Sequence, residues 1–157
     1  MRRFLGRFLT TWRGYSLHAS TIAPVSDPTT TLSRYILQSR HFKKTEGRAT
    51  PGAFMPPPDR RLSTFAIDGL DEGAIWEIGC RVLAESPQPR LYGRAEITVG
   101  MIDSVGLSAE RDDHPPRHVS VVGWASLPDP DAEKATHKMI AAQLAALSSF
   151  RPLPDFT

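Results

Sequence analysis

Residues 117–124 read Arg-His-Val-Ser-Val-Val-Gly-Trp, and this valine-rich run is the clearest strand signal in the chain. β-Branched side chains pack well on a pleated sheet, so we predict a strand over Arg117–Trp124. Further along, Asp129 followed by Pro130 is typical of a helix N-cap and first helical position. We therefore predict a long helix after them, whose apolar stripe comprises Met139, Ile140, Leu144 and Leu147.

Upstream of that strand, the sequence predicts a second strand and helix pair. Leu62–Ile67 has the composition of a short strand, and Asp68-Gly69 is a turn signal. The residues of Asp71–Ala84 have helical apolar spacing, with acidic side chains at the positive N-terminal end. The proline-containing run 86–89 ends that helix.

Two segments are harder to assign. Leu32, Tyr35 and Ile36 have i, i+3, i+4 spacing, which predicts a helix beginning after Thr31. Residues 91–106 fit either period, and we predict a strand over Leu91–Arg94 and then a helix that ends before Gly106. The proline-rich stretch 47–60 and the polar stretch 108–116 are predicted as loops.

This order of elements predicts an α+β domain in which a three- to four-stranded sheet packs with about four helices. A chain of 157 residues suits one hydrophobic core. We place the domain at residues 31–150. Residues 1–30 are predicted to be a disordered basic leader and linker, and 151–157 a proline-rich tail.

The leader has an unusual charge. Residues 1–26 contain four arginines and no acid, whereas all 17 acidic and the other 15 basic residues lie after it, so the remainder has a formal charge of −2. An arginine-rich amphipathic segment is typical of an organelle transit peptide or of an interface helix. A start assigned too far upstream is the third interpretation. We expect a cytoplasmic protein, or a mitochondrial-matrix protein if residues 1–26 are a transit peptide.

Composition excludes several classes of protein. Apolar runs are too short for a transmembrane helix, and the single cysteine, Cys80, excludes an internal disulfide framework. A net charge of +2 gives no indication of nucleic-acid binding. No glycine-rich phosphate loop or metal-ligand spacing is present, so we predict no cofactor and no metal site.

The densest polar cluster is the loop-to-strand junction at residues 112–118. Its carboxylates Asp112 and Asp113 are adjacent in sequence, so their side chains diverge in an extended chain and do not predict a metal site. Imidazoles are the side chains best suited to proton transfer near neutral pH. His118 and His114 are therefore our candidate general acid and base.

Two short patterns resemble enzyme families. His118-Val119-Ser120, together with His18-Ala19-Ser20, resembles the paired motifs of two-histidine phosphoesterases, in which two imidazoles act on a phosphodiester. Leu91-Tyr92-Gly93-Arg94, followed by a helix that ends at Gly106-Leu107, resembles the opening of ADP-ribosyltransferase domains over about 17 residues. That second resemblance implies a catalytic or phosphate-holding role for Arg94.

Several arginines lie near predicted element boundaries. Guanidinium groups that converge form an anion site, because their planar donors match phosphate and carboxylate oxygens. Such a site would take a nucleotide or phosphate ligand. The predicted anion-binding residues are Arg94, Arg117, Arg60 and Arg61.

Three functional hypotheses remain open. The leading one is a non-enzymatic binding module with a protein partner. The second is a nucleotide- or phosphate-handling enzyme, resembling an ADP-ribosyltransferase or a phosphodiesterase, in which arginines hold phosphate and His118 transfers protons. The third is an organelle-targeted subunit of a larger assembly. Whether the protein is an enzyme is left open by the sequence.

Overall fold

A computed structural model describes residues 21–154. Strands outnumber α-helices in this part of the chain, nine to three. The strands are β1 (Ala23–Pro24), β2 (Thr31–Ile36), β3 (Phe42–Lys43), β4 (Arg48–Ala49), β5 (Leu62–Ala66), β6 (Gly93–Thr98), β7 (Ser108–Arg111), β8 (His118–Val122) and β9 (Ser149–Pro152). The α-helices are α1 (Glu72–Ala84), α2 (Val99–Ser104) and α3 (Pro130–Leu147), and 3₁₀ turns occur at Ser39–His41 and Pro51–Phe54.

Seven strands form one antiparallel sheet in the order β1-β7-β8-β5-β2-β6-β9, and β3 pairs with β4 in a separate hairpin. Helix α1 covers part of one face, where Trp76 and Ile78 pack with Tyr35 and Phe65. Helix α3 and the 3₁₀ turn Pro51–Phe54 cover the other face and enclose the larger apolar core. The sheet is therefore the middle layer of three.

The two edge strands each contain a proline, Pro24 in β1 and Pro152 in β9. Proline lacks the backbone N–H and so blocks further strand pairing at an edge. Both strands are short, which also limits edge-to-edge association.

Four predicted elements are confirmed. The strand signals at 62–67 and 117–124 correspond to β5 and β8. Helix α1 has Asp71 as its N-cap, and helix α3 has Asp129 as its N-cap with a proline in the first turn. Capping depends on neighbouring residues, so it is visible in sequence.

The predicted fold class is wrong. Residues 21–154 contain a seven-stranded sheet, a two-stranded sheet and three α-helices, in place of three or four strands with four helices. The predicted helix after Thr31 is β2, a central strand between β5 and β6. Residues on both of its faces are buried, among them Leu32 and Ser33. A strand buried on both faces has no alternation of apolar and polar residues, which is why its spacing resembled a helix.

Further strands occupy segments that had been assigned to other structures. Strand β6 extends to Thr98, so α2 has only six residues. Strand β7 lies in the predicted loop 108–116, and β9 pairs with β6 within the proline-rich end of the chain. The composition of these segments gives no clear strand signal, because pairing with a neighbouring strand determines their conformation.

The described residues contain no helix that is both long and apolar enough to cross a membrane.

Candidate active site

Three polar side chains form a hydrogen-bonded chain on the sheet face that α1 partly covers. Ser63 Oγ lies 2.9 Å from His118 Nε2, and His118 Nδ1 lies 2.8 Å from Asp112 Oδ1. All three residues are half-buried. This arrangement of hydroxyl, imidazole and carboxylate matches the roles of nucleophile, base and orienting acid in covalent catalysis.

The sheet register brings these residues together. Ser63 pairs with Ser120 across β5 and β8, and Phe65 pairs with His118, so Ser63, Phe65, Ser120 and His118 share one face. Asp112 follows β7, the neighbour of β8 on the other side, and its backbone N–H donates to the His118 carbonyl oxygen at 3.4 Å. Neighbouring antiparallel strands thus supply all three groups.

The loop between β7 and β8 is held in a strained conformation. Asp113 and Arg117 have φ values of +53° and +69°, in the left-handed region that side chains with a Cβ rarely adopt. The Arg117 backbone N–H donates to Asp113 Oδ1 at 3.1 Å, which closes this loop immediately before His118. Such strain persists only where the surroundings enforce it, and it is common at functional sites.

The protonation state of Asp112 fixes the tautomer of His118. Burial raises the pKa of Asp112, but hydrogen bonds from the His114 backbone and the His118 ring outweigh it and hold the pKa below its usual value. An ionised carboxylate accepts hydrogen bonds only. His118 Nδ1 therefore carries the proton, and Nε2 is free to accept the Ser63 hydroxyl proton.

Two arginines, Arg34 and Arg61, influence the backbone and the charge of this site. Arg34 donates from Nη1 to the Ser63 carbonyl oxygen at 3.0 Å and from Nε to the Ala53 carbonyl oxygen, which fixes the β5 backbone at Ser63. Arg61 is close enough to Asp112 for its positive charge to lower the pKa of that carboxyl. Its Nη2 also donates to Glu110 Oε2 at 3.0 Å.

A small apolar cavity lies next to Phe65, the ring that contacts His118. Its volume is about 110 Å³, and Phe65, Ile78, Val82, Pro115 and Pro116 form its apolar wall, with Arg81 and Glu85 as its polar residues. The Phe65 ring contacts the His118 ring edge-on, with 5.4 Å between the ring centroids. Ser63, His118 and Asp112 do not themselves line this cavity, which is smaller than the usual small-molecule site in a protein.

Arg94 lies away from the Ser63–His118–Asp112 triad. Strands β8 and β6 are three strand spacings apart, about 14 Å, so Arg94 and His118 do not meet. The Arg94 side chain is almost fully buried, is bound to Glu72 and Glu96 at 2.8 Å each, and lies over the Trp76 ring at 4.4 Å. These contacts tie α1 to the sheet.

The other predicted anion-binding arginines do not converge. Arg60 pairs with Glu133 of α3 at 3.1 Å, and Arg61 with Glu110. Arg117 donates from Nη1 to the carbonyl oxygens of Ala66 and Asp68. Arg117 also lines an open cleft of about 610 Å³, where the charges of Arg111 and Arg117 are balanced by Asp27 and Asp68.

The remaining candidate residues from the sequence are His114 and His18. His114 lies on the exposed loop, where its backbone N–H donates to Asp112 Oδ1 at 3.1 Å. His18, the second histidine of the phosphoesterase-like pattern, lies outside the described residues. Within residues 21–154, no cluster of three or more His, Cys, Asp or Glu side chains is arranged to hold a metal ion.

Of the three hydrogen-bonded residues, only His118 is predicted from the sequence as a site residue, and its contacts with Ser63 and Asp112 are not. Ser63 and His118 are 55 residues apart, and no local pattern links them. The one available signal was the spacing of six residues between Asp112 and His118, across a loop that returns the chain to the same sheet.

Comparison with known proteins assigns no family to the chain, since no family model matches it and no similar curated protein or solved structure is found.

Proposed function

We propose that the protein is a hydrolase that cleaves short-chain carboxylic esters through an acyl-enzyme on Ser63. The observation that supports this proposal is the Ser63–His118–Asp112 hydrogen-bond chain. A serine hydroxyl is a weak nucleophile until an adjacent base removes its proton. In this protein the base is His118, held in the required tautomer by Asp112.

The proposed reaction has two steps. Ser63 Oγ attacks the ester carbonyl carbon while His118 Nε2 takes the hydroxyl proton. His118 then returns that proton to the leaving alkoxide, and the acyl group stays on Ser63. A water molecule gives a proton to His118 and attacks the acyl carbon, after which Ser63 regains its proton and the carboxylic acid leaves.

Negative charge develops on the carbonyl oxygen during each attack. We assign its stabilisation to Arg61, whose Nη2 donates to Glu110 at 3.0 Å. Glu110 pairs with Ser120, which pairs with Ser63, so this guanidinium lies on the sheet face that carries the nucleophile. Ser63 lies in a regular strand whose backbone N–H groups take part in sheet pairing, so a side-chain cation replaces a pair of backbone donors in this role.

The small cavity supports the choice of substrate. Its apolar wall includes Phe65, whose ring contacts the His118 ring, and this wall would take the acyl chain. A volume of about 110 Å³ suits acyl groups of two to four carbons. We therefore expect acetyl and butyryl esters to be better substrates than octanoyl esters.

The test is ester hydrolysis by the full chain with p-nitrophenyl acetate, butyrate and octanoate at pH 7.5. Ser63→Ala and His118→Ala should lower kcat/KM at least about 1,000-fold, because the triad acts as a unit. Ser120→Ala is the matched control, since Ser120 lies directly opposite Ser63 but makes no hydrogen bond to His118 in the described residues. Equal rates for the wild type and Ser63→Ala would exclude the proposal.

The binding-module and targeted-subunit hypotheses remain predictions. Residues 1–20, which make up most of the leader on which targeting depends, lie outside the described residues, and Ala23–Pro24 of the leader form β1. The phosphate-handling hypothesis shares His118 with our proposal but needs converging arginines, and the described arginines point to separate partners.

A further inference from the structure

A second cavity lies at the other edge of the sheet, beside β6 and β9. It is an open groove of about 470 Å³, within the range of small-molecule sites in proteins. The hairpin of β3 and β4, the segment that leads into β6, and the end of β9 supply its walls. It is separated from the triad by several strands, so an inference about it is independent of the proposed hydrolase activity.

An aromatic cluster lines the groove. The rings of Phe42 and Phe150 stack, with 5.3 Å between their centroids and 12° between their planes. The Tyr92 ring also lies 5.3 Å from Phe42. All three side chains are half-buried, and Leu91 adds a buried apolar contact. A planar ring gains favourable offset-stacked or edge contacts on such a surface.

Two cations lie at the same groove without a balancing acid. Arg90 extends over the Tyr92 ring at 5.4 Å from its centroid, and Lys44 lies on the hairpin. Neither has a carboxylate within 4 Å among the described residues, and none of the described residues lining the groove is acidic. Lys43, by contrast, points to Glu46 at 3.0 Å. The groove is therefore complementary to an anion.

From these contacts we infer that the groove binds a nucleoside monophosphate. The base would pack against the cluster of Phe42, Tyr92 and Phe150, and the phosphate would accept charge-assisted hydrogen bonds from Arg90 and Lys44. The ligand combines a planar aromatic group with a localised negative charge, and a nucleotide meets both requirements at this size. Inorganic phosphate lacks the first feature and a nucleoside lacks the second.

The test is calorimetric or NMR titration of the full chain with AMP, GMP, CMP and UMP, with adenosine and inorganic phosphate as separate arms. We expect saturable binding of at least one monophosphate, at least about tenfold weaker binding of the matching nucleoside, and weaker binding still of phosphate alone. The double variant Lys44→Ala/Arg90→Ala should weaken monophosphate binding at least about tenfold and leave nucleoside binding unchanged. Phe42→Leu should weaken both.

Lys43→Ala is the matched control, because it removes a neighbouring lysine that is paired with Glu46. It should leave binding unchanged. The inference is overturned if no monophosphate binds the folded chain at 5 mM, the highest concentration in the titration. It is also overturned if the Lys43→Ala and Lys44→Ala/Arg90→Ala proteins bind equally well, since binding would then lie elsewhere. Circular dichroism of each variant establishes that it is folded.

Discussion

Arg94 illustrates how contacts decide the role of a charged residue. Its sequence position suggested a ligand-binding side chain, but it is buried between Glu72, Glu96 and the ring of Trp76. Burial lowers its pKa, and the hydrogen bonds to both carboxylates raise it more, so the net shift is upward. The charged form is therefore well compensated in the folded protein.

Removal of the Arg94 charge should be strongly destabilising. Arg94→Ala leaves Glu96, which is largely buried, with the exposed Arg151 at 3.5 Å as its remaining partner, and it opens space beneath Trp76. We expect a loss of about 3 kcal/mol in the free energy of unfolding. Urea denaturation measures this loss. Arg90→Ala is the control, since Arg90 is exposed and should change stability by less than about 0.5 kcal/mol. Similar midpoints for both variants would contradict the structural role of Arg94.

Asp112 determines which nitrogen of His118 carries a proton. In Asp112→Asn the amide group can donate to Nδ1, which favours the wrong tautomer and removes the base that faces Ser63. We expect kcat for ester hydrolysis to fall at least about 100-fold with little change in KM, because substrate contacts remain. A fall confined to KM would instead assign Asp112 to substrate binding.

At the scale of elements, local sequence signals predict helices α1 and α3. They do not predict strands whose conformation depends on pairing with distant segments. The caps at Asp71 and Asp129 mark helix starts in the sequence itself. Strand β2 has no comparable local signal in the sequence. Its conformation is determined by pairing with β5 and β6 and by the layers that cover both of its faces. The contact between Ser63 and His118 cannot be predicted from the sequence for the same reason, since only the pairing of β5 with β8 brings the two residues together.

Helix α1 depends on a glycine for its close approach to the sheet. A Cβ at Gly79 would lie 2.7 Å from Tyr35 Cε1, a distance that forces the helix or the ring to move. We expect Gly79→Ala to lower stability by about 1–3 kcal/mol, despite the better helix propensity of alanine.

Gly73→Ala is the matched control in the same helix. Its Cβ would meet Asp71 Oδ1 at 3.3 Å, near an exposed side chain that has room to adjust. Thermal unfolding of both variants should show a clear loss for Gly79→Ala and a change within about 1 kcal/mol for Gly73→Ala. Equal changes in the melting temperature of the two variants would contradict the close packing of α1 on Tyr35.

At the scale of the whole molecule, carboxylates connect separate parts of the chain and make stability depend on pH. The bond from Arg94 lowers the pKa of Glu72, and the Leu127 backbone N–H lowers the pKa of Glu133. The pKa of Asp112 is lowered as well. Each group binds protons less readily in the folded than in the unfolded chain, so its stabilisation is present above about pH 4 and is lost as pH falls through its folded pKa.

Burial also lowers the pKa of His41, so the unfolded chain binds that proton more readily. We therefore expect the free energy of unfolding to decrease slightly between pH 7 and pH 5 and more steeply below about pH 4. Urea denaturation at pH 7, 5, 4 and 3 measures it. Asp112→Asn should show a smaller decrease than the wild type over the lowest interval, because one of the linked groups is absent. Constant stability from pH 5 to pH 3 is the contrary result.

The most direct test of the account is covalent labelling of the nucleophile. A fluorophosphonate probe reacts with serines that a base has activated and forms a stable adduct on the hydroxyl oxygen. Intact mass and peptide mapping should show one adduct, on Ser63, in the wild type and in Ser120→Ala, and none in Ser63→Ala or His118→Ala. An unlabelled wild-type protein, or labelling that persists in His118→Ala, would contradict the claim that His118 activates Ser63.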